Sequence, residues 1–153
     1  MPTVLFVCEG NIFRSQMAEG FFNAKAPDEW KGISAGTLPR RDHVHSGAIA
    51  LMKEVGIDIS GQRPKLLDPA IAADAWRVIA MCDLQGCPVE VLERIERWPI
   101  IDPAHLPEER WREIRDEINR RVDQIMDLIR SGTYTGRTPT DLRLSGRSSG
   151  TPP

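Results

Sequence analysis

The sequence predicts an α/β fold in which a small parallel sheet is flanked by helices on both faces. Three observations carry this. Residues 4–7, Val-Leu-Phe-Val, form an unbroken apolar run, as a strand buried on both faces requires. Apolar residues at helical spacing follow it. Strand-like and helix-like runs then alternate along the chain, the pattern that crossover connections between parallel strands produce.

The elements follow in order. From Ser15 onward, Met17, Ala18, Phe21 and Phe22 recur at helical spacing, so the first helix starts near Arg14 or Ser15. Ile33-Ser34-Ala35, ended by Gly36, suits a second short strand. Ala48, Ile49, Met52 and Val55 outline another amphipathic helix, with Gly56 as its stop. Asp68-Pro69 pairs an N-cap with proline at the first helical position. Residues 77–81, Arg-Val-Ile-Ala-Met, read as the clearest later strand, 88–95 as a short helix, and 98–101 as one more strand. The last helix, over 107–129, carries Trp111, Ile114, Ile118, Val122, Ile125 and Ile129 on one stripe, which predicts a core-facing side; Trp98 is also expected in the core.

Length and composition set the class. At 153 residues the chain suffices for one domain with its own core, placed at 1–130. Residues 131–153 are rich in Ser, Thr, Gly and Pro without hydrophobic period, and are expected to form a disordered tail. A net charge of -2 gives no reason to expect nucleic acid or an anionic membrane as partner. No apolar stretch approaches the roughly 18 residues of a membrane-spanning helix, and the N-terminus lacks a signal-peptide pattern. Cytoplasmic residence is the expectation, and there three cysteines read as thiols rather than a disulfide framework.

The chemistry concentrates after the first strand, in "VLFVCEGNIFRSQMAEGFF". Parallel sheets bind ligands at the carboxyl ends of their strands, where Cys8 stands. The loop Glu9-Gly10-Asn11-Ile12-Phe13 can curl so that its amides converge on an anion at the following helix N-terminus. Gly10 and Asn11 tolerate the left-handed backbone that such a curl needs. Arg14 offers a planar fork for two oxygens of a tetrahedral oxyanion. A sulfur facing this positive cluster is favoured as the thiolate, so the motif reads as an anion cradle with a nucleophile at its base.

This stretch resembles the phosphate-binding loop of the low-molecular-weight protein tyrosine phosphatases and of the arsenate reductases that share their fold. The resemblance continues in "SAGTLP", "MKEVGIDISGQRPKLL" and "IIDPA", over residues 3–130. It implies that Cys8 is the nucleophile, that Arg14 binds the oxyanion within the loop 9–15, and that Asn11 and Ser15 orient that loop. It also implies that Asp102 is the general acid, a role that a loop carboxylate near the cradle suits. Before proline, Asp102 equally suits a turn.

The two branches part after the first attack. A phosphatase hydrolyses its cysteinyl-phosphate, whereas a reductase needs further thiols to take up the oxidation. Cys82 and Cys87, in "MCDLQGCP", resemble the cysteine pair of the reductases. The resemblance implies a relay from Cys8 to Cys82 to Cys87, with thioredoxin or a low-molecular-weight thiol as electron donor. Phosphatases of this family usually have aromatic residues after the Asp-Pro pair, where this chain has Ala104 and His105. "RPK" after Gln62 and "SQMAEG" after Arg14 also lean toward reduction. The expected reaction is therefore arsenate reduction. Phosphatase action on phosphotyrosine or aryl phosphates is the alternative, and a non-catalytic oxyanion-binding protein the second alternative.

Four residues cut across this picture. Glu9 is harmless pointing outward but repels an oxyanion pointing inward, Phe13 is expected to pack into the core, and Cys82 and Cys87 also suit small buried apolar positions. The cysteines with His43 or His45 match no common zinc spacing, so neither metal nor cofactor is expected. His43 and His45 read most simply as part of a solvated loop that could also line the cleft.

Overall fold

The structure, a computed structural model, describes residues 2–81 and 95–132. Four parallel strands, β1 (Thr3–Cys8), β2 (Lys31–Gly36), β3 (Arg77–Ala80) and β4 (Ile95–Arg97), lie in the order β2-β1-β3-β4. The helices are α1 (Arg14–Lys25), α2 (Ser46–Lys53), α3 (Pro69–Asp74) and α4 (Trp111–Arg130). Chain order and spatial order diverge on either side of β1, so the carboxyl end of β1 opens at the reversal point where such sheets bind ligands.

Side chains alternate across β1 and create two cores. Val4 and Phe6 face α1, α2 and α4, and join Phe22, Met52, Ile118 and Val122 in the larger cluster. Leu5 and Val7 face the opposite side and pack with Leu67, Ala72 and Ala75 around α3. Each fully buried Phe, Leu or Val contributes on the order of 1.5–3 kcal/mol, which makes β1 the most strongly anchored strand. Helices on both faces of a small parallel sheet are as expected.

The local signals behave as their chemistry dictates. Asp68 Oδ1 accepts from the Ala70 N–H at 2.9 Å with Pro69 at the first helical position, so α3 begins as predicted. The stripe of α4 is buried at Ile114, Ile118, Val122 and Ile125, and Trp98 is buried as well. Three boundaries differ. The edge strand is β4 at Ile95–Arg97, not 98–101. Glu96 pairs with Arg77 across the ladder at 3.0 Å, and the charged β4 needs little apolar sequence because its exposed edge faces water. Ile95 therefore belongs to a strand and not to the end of a helix; the rest of that expected helix lies outside the described residues. Residues 108–110 form a separate 3-10 turn ahead of α4. Val55 lies beyond α2, 44% exposed, because that helix stops at Lys53 and the chain turns through Gly56. The expected tail falls outside the described residues from 133 onward.

Candidate active site at the carboxyl end of β1

The loop 9–13 is held open by what surrounds it. The carbonyl of Glu9 accepts from Leu38 N–H at 2.9 Å, that of Ile12 from His45 N–H at 2.9 Å, and that of Phe13 from Met17 N–H at 3.0 Å. The Asn11 carbonyl accepts from Gln16 Nε2 at 2.9 Å. In a planar trans peptide the N–H points opposite to the carbonyl. Drawing these four carbonyls outward turns the amides of Gly10, Ile12, Phe13 and Arg14 inward. Phe13, the N-cap of α1, makes no side-chain cap, so the helix N-terminus is also left with free donors for an anion. Asn11 takes the left-handed backbone at φ 55°; Gly10, for which the same was expected, does not. Gly36 makes the close approach possible, since a Cβ there would stand 2.6 Å from the Glu9 carbonyl oxygen.

The sulfur at the base of the cradle is buried and sits in a directed chain of hydrogen bonds. Lys65 N–H donates to Asn11 Oδ1 at 2.8 Å, which fixes the orientation of that amide. Asn11 Nδ2 then donates to Ser15 Oγ at 2.7 Å. Ser15 is left to turn its own proton toward Cys8 Sγ, 2.8 Å away, while Asn11 N–H donates to the same sulfur at 3.2 Å. Asn11 N–H thus donates to Cys8, and the Ser15 hydroxyl is free to do the same. Asn11 and Ser15 are bonded to each other and to the sulfur.

Arg14 is buried and fastened at one corner. Its Nη1 donates to the carbonyls of Met81 and Ile100, the latter at 2.9 Å, while Nη2 lies 3.8 Å from Asp102 Oδ2. Nε and Nη2 remain as the fork for an oxyanion. Asp102 stands both at a turn and at the cleft. Its Oδ1 caps the turn Pro103–His105 through Ala104 N–H at 3.0 Å, and it also lines the cleft above Cys8. Glu9 is exposed and paired with Arg40 at 3.6 Å, so its charge is answered by a guanidinium.

The cleft itself holds about 500 Å3. Two of its features depart from expectation. His45 is half-buried, not part of a solvated loop: its Nδ1 caps α2 by accepting from Gly47 N–H at 2.9 Å, and its ring packs 5.2 Å from Phe13 and 5.7 Å from Trp111. Trp111, assigned by periodicity to the core, lines the cleft with Phe13. The aromatic wall missing after Asp102 is thus supplied from α4 and the cradle. Gly47 permits it, because a Cβ there would stand 2.6 Å from the Trp111 ring.

Sequence reasoning also passed over the strap behind the cradle. Gln16 Nε2 donates to Arg63 O at 3.0 Å as well as to Asn11, and Gln62 Nε2 donates to Gln16 Oε1 at 2.8 Å. "SQMAEG" and "QRPK" are the two halves of one bracket, a connection that only their joint resemblance to a family could signal. Among the described residues no group of three or more metal-ligating side chains forms. Cys82 and Cys87 lie outside the described residues.

Known proteins share this fold. The model of the low molecular weight phosphotyrosine protein phosphatase family matches residues 3–133. The chain belongs to that family. Among its relatives an arsenate reductase of Bacillus licheniformis is 37% identical over 134 residues, spanning 82% of this chain and 95% of that protein. A solved arsenate reductase in its phosphate-binding state is 36% identical with a TM-score of 0.73, over 83% of this chain and 98% of that one. A low-molecular-weight protein tyrosine phosphatase from T. tengcongensis is 32% identical, also with a TM-score of 0.73, over 83% of this chain and 99% of that one. The family is one of enzymes, and both of its chemistries are represented near this chain.

Proposed function

We propose that the protein is an arsenate reductase acting in the cytoplasm. The observation that carries the reading is the hydrogen bond from Arg14 to the carbonyl of Met81. Met81 ends the β3 run at the edge of the sheet that bears Cys8, its N–H bonded to Val7 O at 2.8 Å, and Cys82 follows it in the chain. Met81, which immediately precedes Cys82 in the sequence, is therefore bonded to the arginine of the proposed oxyanion site.

The reaction runs in thiol steps. Cys8 thiolate displaces hydroxide from arsenate, held by the loop amides and Arg14, to form an S–As(V) bond. Cys82 thiolate attacks Cys8 Sγ; an S–S bond forms, the S–As bond breaks, and its electron pair leaves on arsenic as arsenite. Cys87 thiolate then attacks Cys82 Sγ and returns Cys8 as a thiolate. The two electrons gained by arsenic are those lost by the Cys82–Cys87 pair, which thioredoxin or a low-molecular-weight thiol restores. Cys87→Ser tests the relay. The expected result is at most one arsenite per protein, with aryl phosphate hydrolysis intact; repeated turnover with thioredoxin would remove Cys87 from the mechanism.

Phosphatase action is the second reading, favoured by the position of Asp102 beside the cradle and by the Phe13–Trp111 wall. Cys8 would form the cysteinyl-phosphate, Asp102 would protonate the departing oxygen, and water would release phosphate.

A further inference from the structure

A tetrahedral oxyanion fills only a fraction of this cleft. Its volume of about 500 Å3 falls in the range, roughly 300–1,000 Å3, of pockets that hold small organic molecules. Beyond the cradle the lining is mixed. Phe13, Trp111 and Leu38 supply an apolar wall, and the segment between β2 and α2 supplies Arg40, Arg41 and His45.

The charges on that segment are not all answered. Arg40 is paired with Glu9 at 3.6 Å, and Arg14 belongs to the oxyanion. Arg41 is exposed at the cleft, with no acidic partner among the described residues. His45 points the same way by a different route. Because its Nδ1 accepts from Gly47 N–H, the neutral ring carries its proton on Nε2. That N–H has no acceptor within the described protein and is not among its buried unpaired polar atoms. The Phe13 and Trp111 rings hold the imidazole in place. A guanidinium without a counter-charge and a fixed N–H donor thus stand on one wall, beside an apolar surface.

We propose that Arg41 and His45 form a second anion subsite. Among organic phosphomonoesters it makes the cleft prefer those whose organic group carries its own negative charge, such as a carboxylate. The phosphoryl group occupies the cradle, the organic group lies along Phe13 and Trp111, and the distal carboxylate meets Arg41 and the His45 Nε2–H. The proposal rests on Cys8 and its loop as the oxyanion site, and not on the thiol relay.

The test uses the full-length protein and protection of Cys8 from iodoacetamide, mapped by peptide mass spectrometry. The competing ligands are inorganic phosphate, phenyl phosphate and the 3- and 4-carboxyphenyl phosphates. The better carboxylated ester should half-protect at a concentration about threefold to fivefold below phenyl phosphate, an advantage that shrinks in high salt. Arg41→Ala should bring that ratio to about one. His45→Asn, which keeps a strong helix cap while withdrawing the ring, should lower it. A ratio near one in the unaltered protein, or a ratio that survives both substitutions, would overturn the subsite while leaving the cradle intact. Failure of inorganic phosphate to protect Cys8 would overturn the oxyanion site and the subsite together.

Discussion

The two walls of the cleft are built on opposite principles. On the inner wall the atoms that shape the cradle are committed and its inward amides are left for an anion: loop carbonyls are drawn outward, Asn11 is bonded through its amide oxygen, amide nitrogen and backbone, and Ser15 stands against the sulfur. The outer wall, formed by the exposed Leu38, Arg40 and Arg41 with the half-buried His45 and Asp102, holds charges that face solvent. Buried, mutually oriented donors bind one charge distribution well and cannot readjust. An exposed wall with spare donors costs little to vary. On this reading the inner wall carries the oxyanion chemistry proposed for Cys8, and the outer wall the proposed choice of substrate.

Substitutions at the two walls should separate by magnitude. Cys8→Ser removes the nucleophile, and both arsenate reduction and aryl phosphate hydrolysis should fall by at least about 10^3-fold. Retained turnover would displace the site. Asn11→Ala breaks the chain from Lys65 to Cys8 and puts alanine at φ 55°. Activity should fall by roughly 10^2-fold, and unfolding in urea should show a loss of about 2–3 kcal/mol. An active, stable Asn11→Ala protein would break the contrast between the walls. On the outer wall, Asp102→Asn should slow hydrolysis of an ester with a poor leaving group by about 10^2-fold or more, and leave the thiol steps within a few-fold. Equal losses in both assays would assign Asp102 to the scaffold through its turn cap.

How much of this was legible in the sequence divides along the same line. Cys8, Arg14 and the intervening loop are contiguous, so strand, nest and helix N-terminus could be read from one stretch. Asp68-Pro69 and the α4 stripe were legible because capping and periodicity are local. Two things were not. β4 carries Ile95, Glu96 and Arg97 and lacks a strand pattern, because its edge position asks for none. The placement of Trp111 and His45 depends on tertiary packing across Gly47, which no local signal reports. Periodicity gave Trp111 the correct face of its helix and could not say that this face also borders the cleft.

The smallest effect lies far from both walls. Glu54 accepts from Arg112 at 2.8 and 2.6 Å and from the buried Arg115 at 2.8 Å, tying the end of α2 to α4. The Arg112 bonds first, and Arg115 with them, hold its carboxyl down at about 2, against an ordinary value of 4.5. A depressed carboxylate stabilises the fold fully above its unfolded value and ceases to do so as pH falls toward 2. Glu54→Gln should lower Tm by no more than a few degrees at pH 7, because the pair is largely in water. That difference should close between about pH 4.5 and 2. A difference that persists at pH 2 would make the effect one of packing and not of charge.

In the proposed mechanism an oxyanion cradle on Cys8 feeds a two-electron relay through Cys82 and Cys87. Counting thiols tests it most directly. Reduced protein is treated with one equivalent of arsenate and no external reductant, and free thiols are counted by mass spectrometry before and after. Two thiols per chain should be lost, mapped by digestion to a Cys82–Cys87 disulfide, with one arsenite released. Survival of all three thiols, in a sample that hydrolyses aryl phosphate, would contradict it and make the protein a phosphatase.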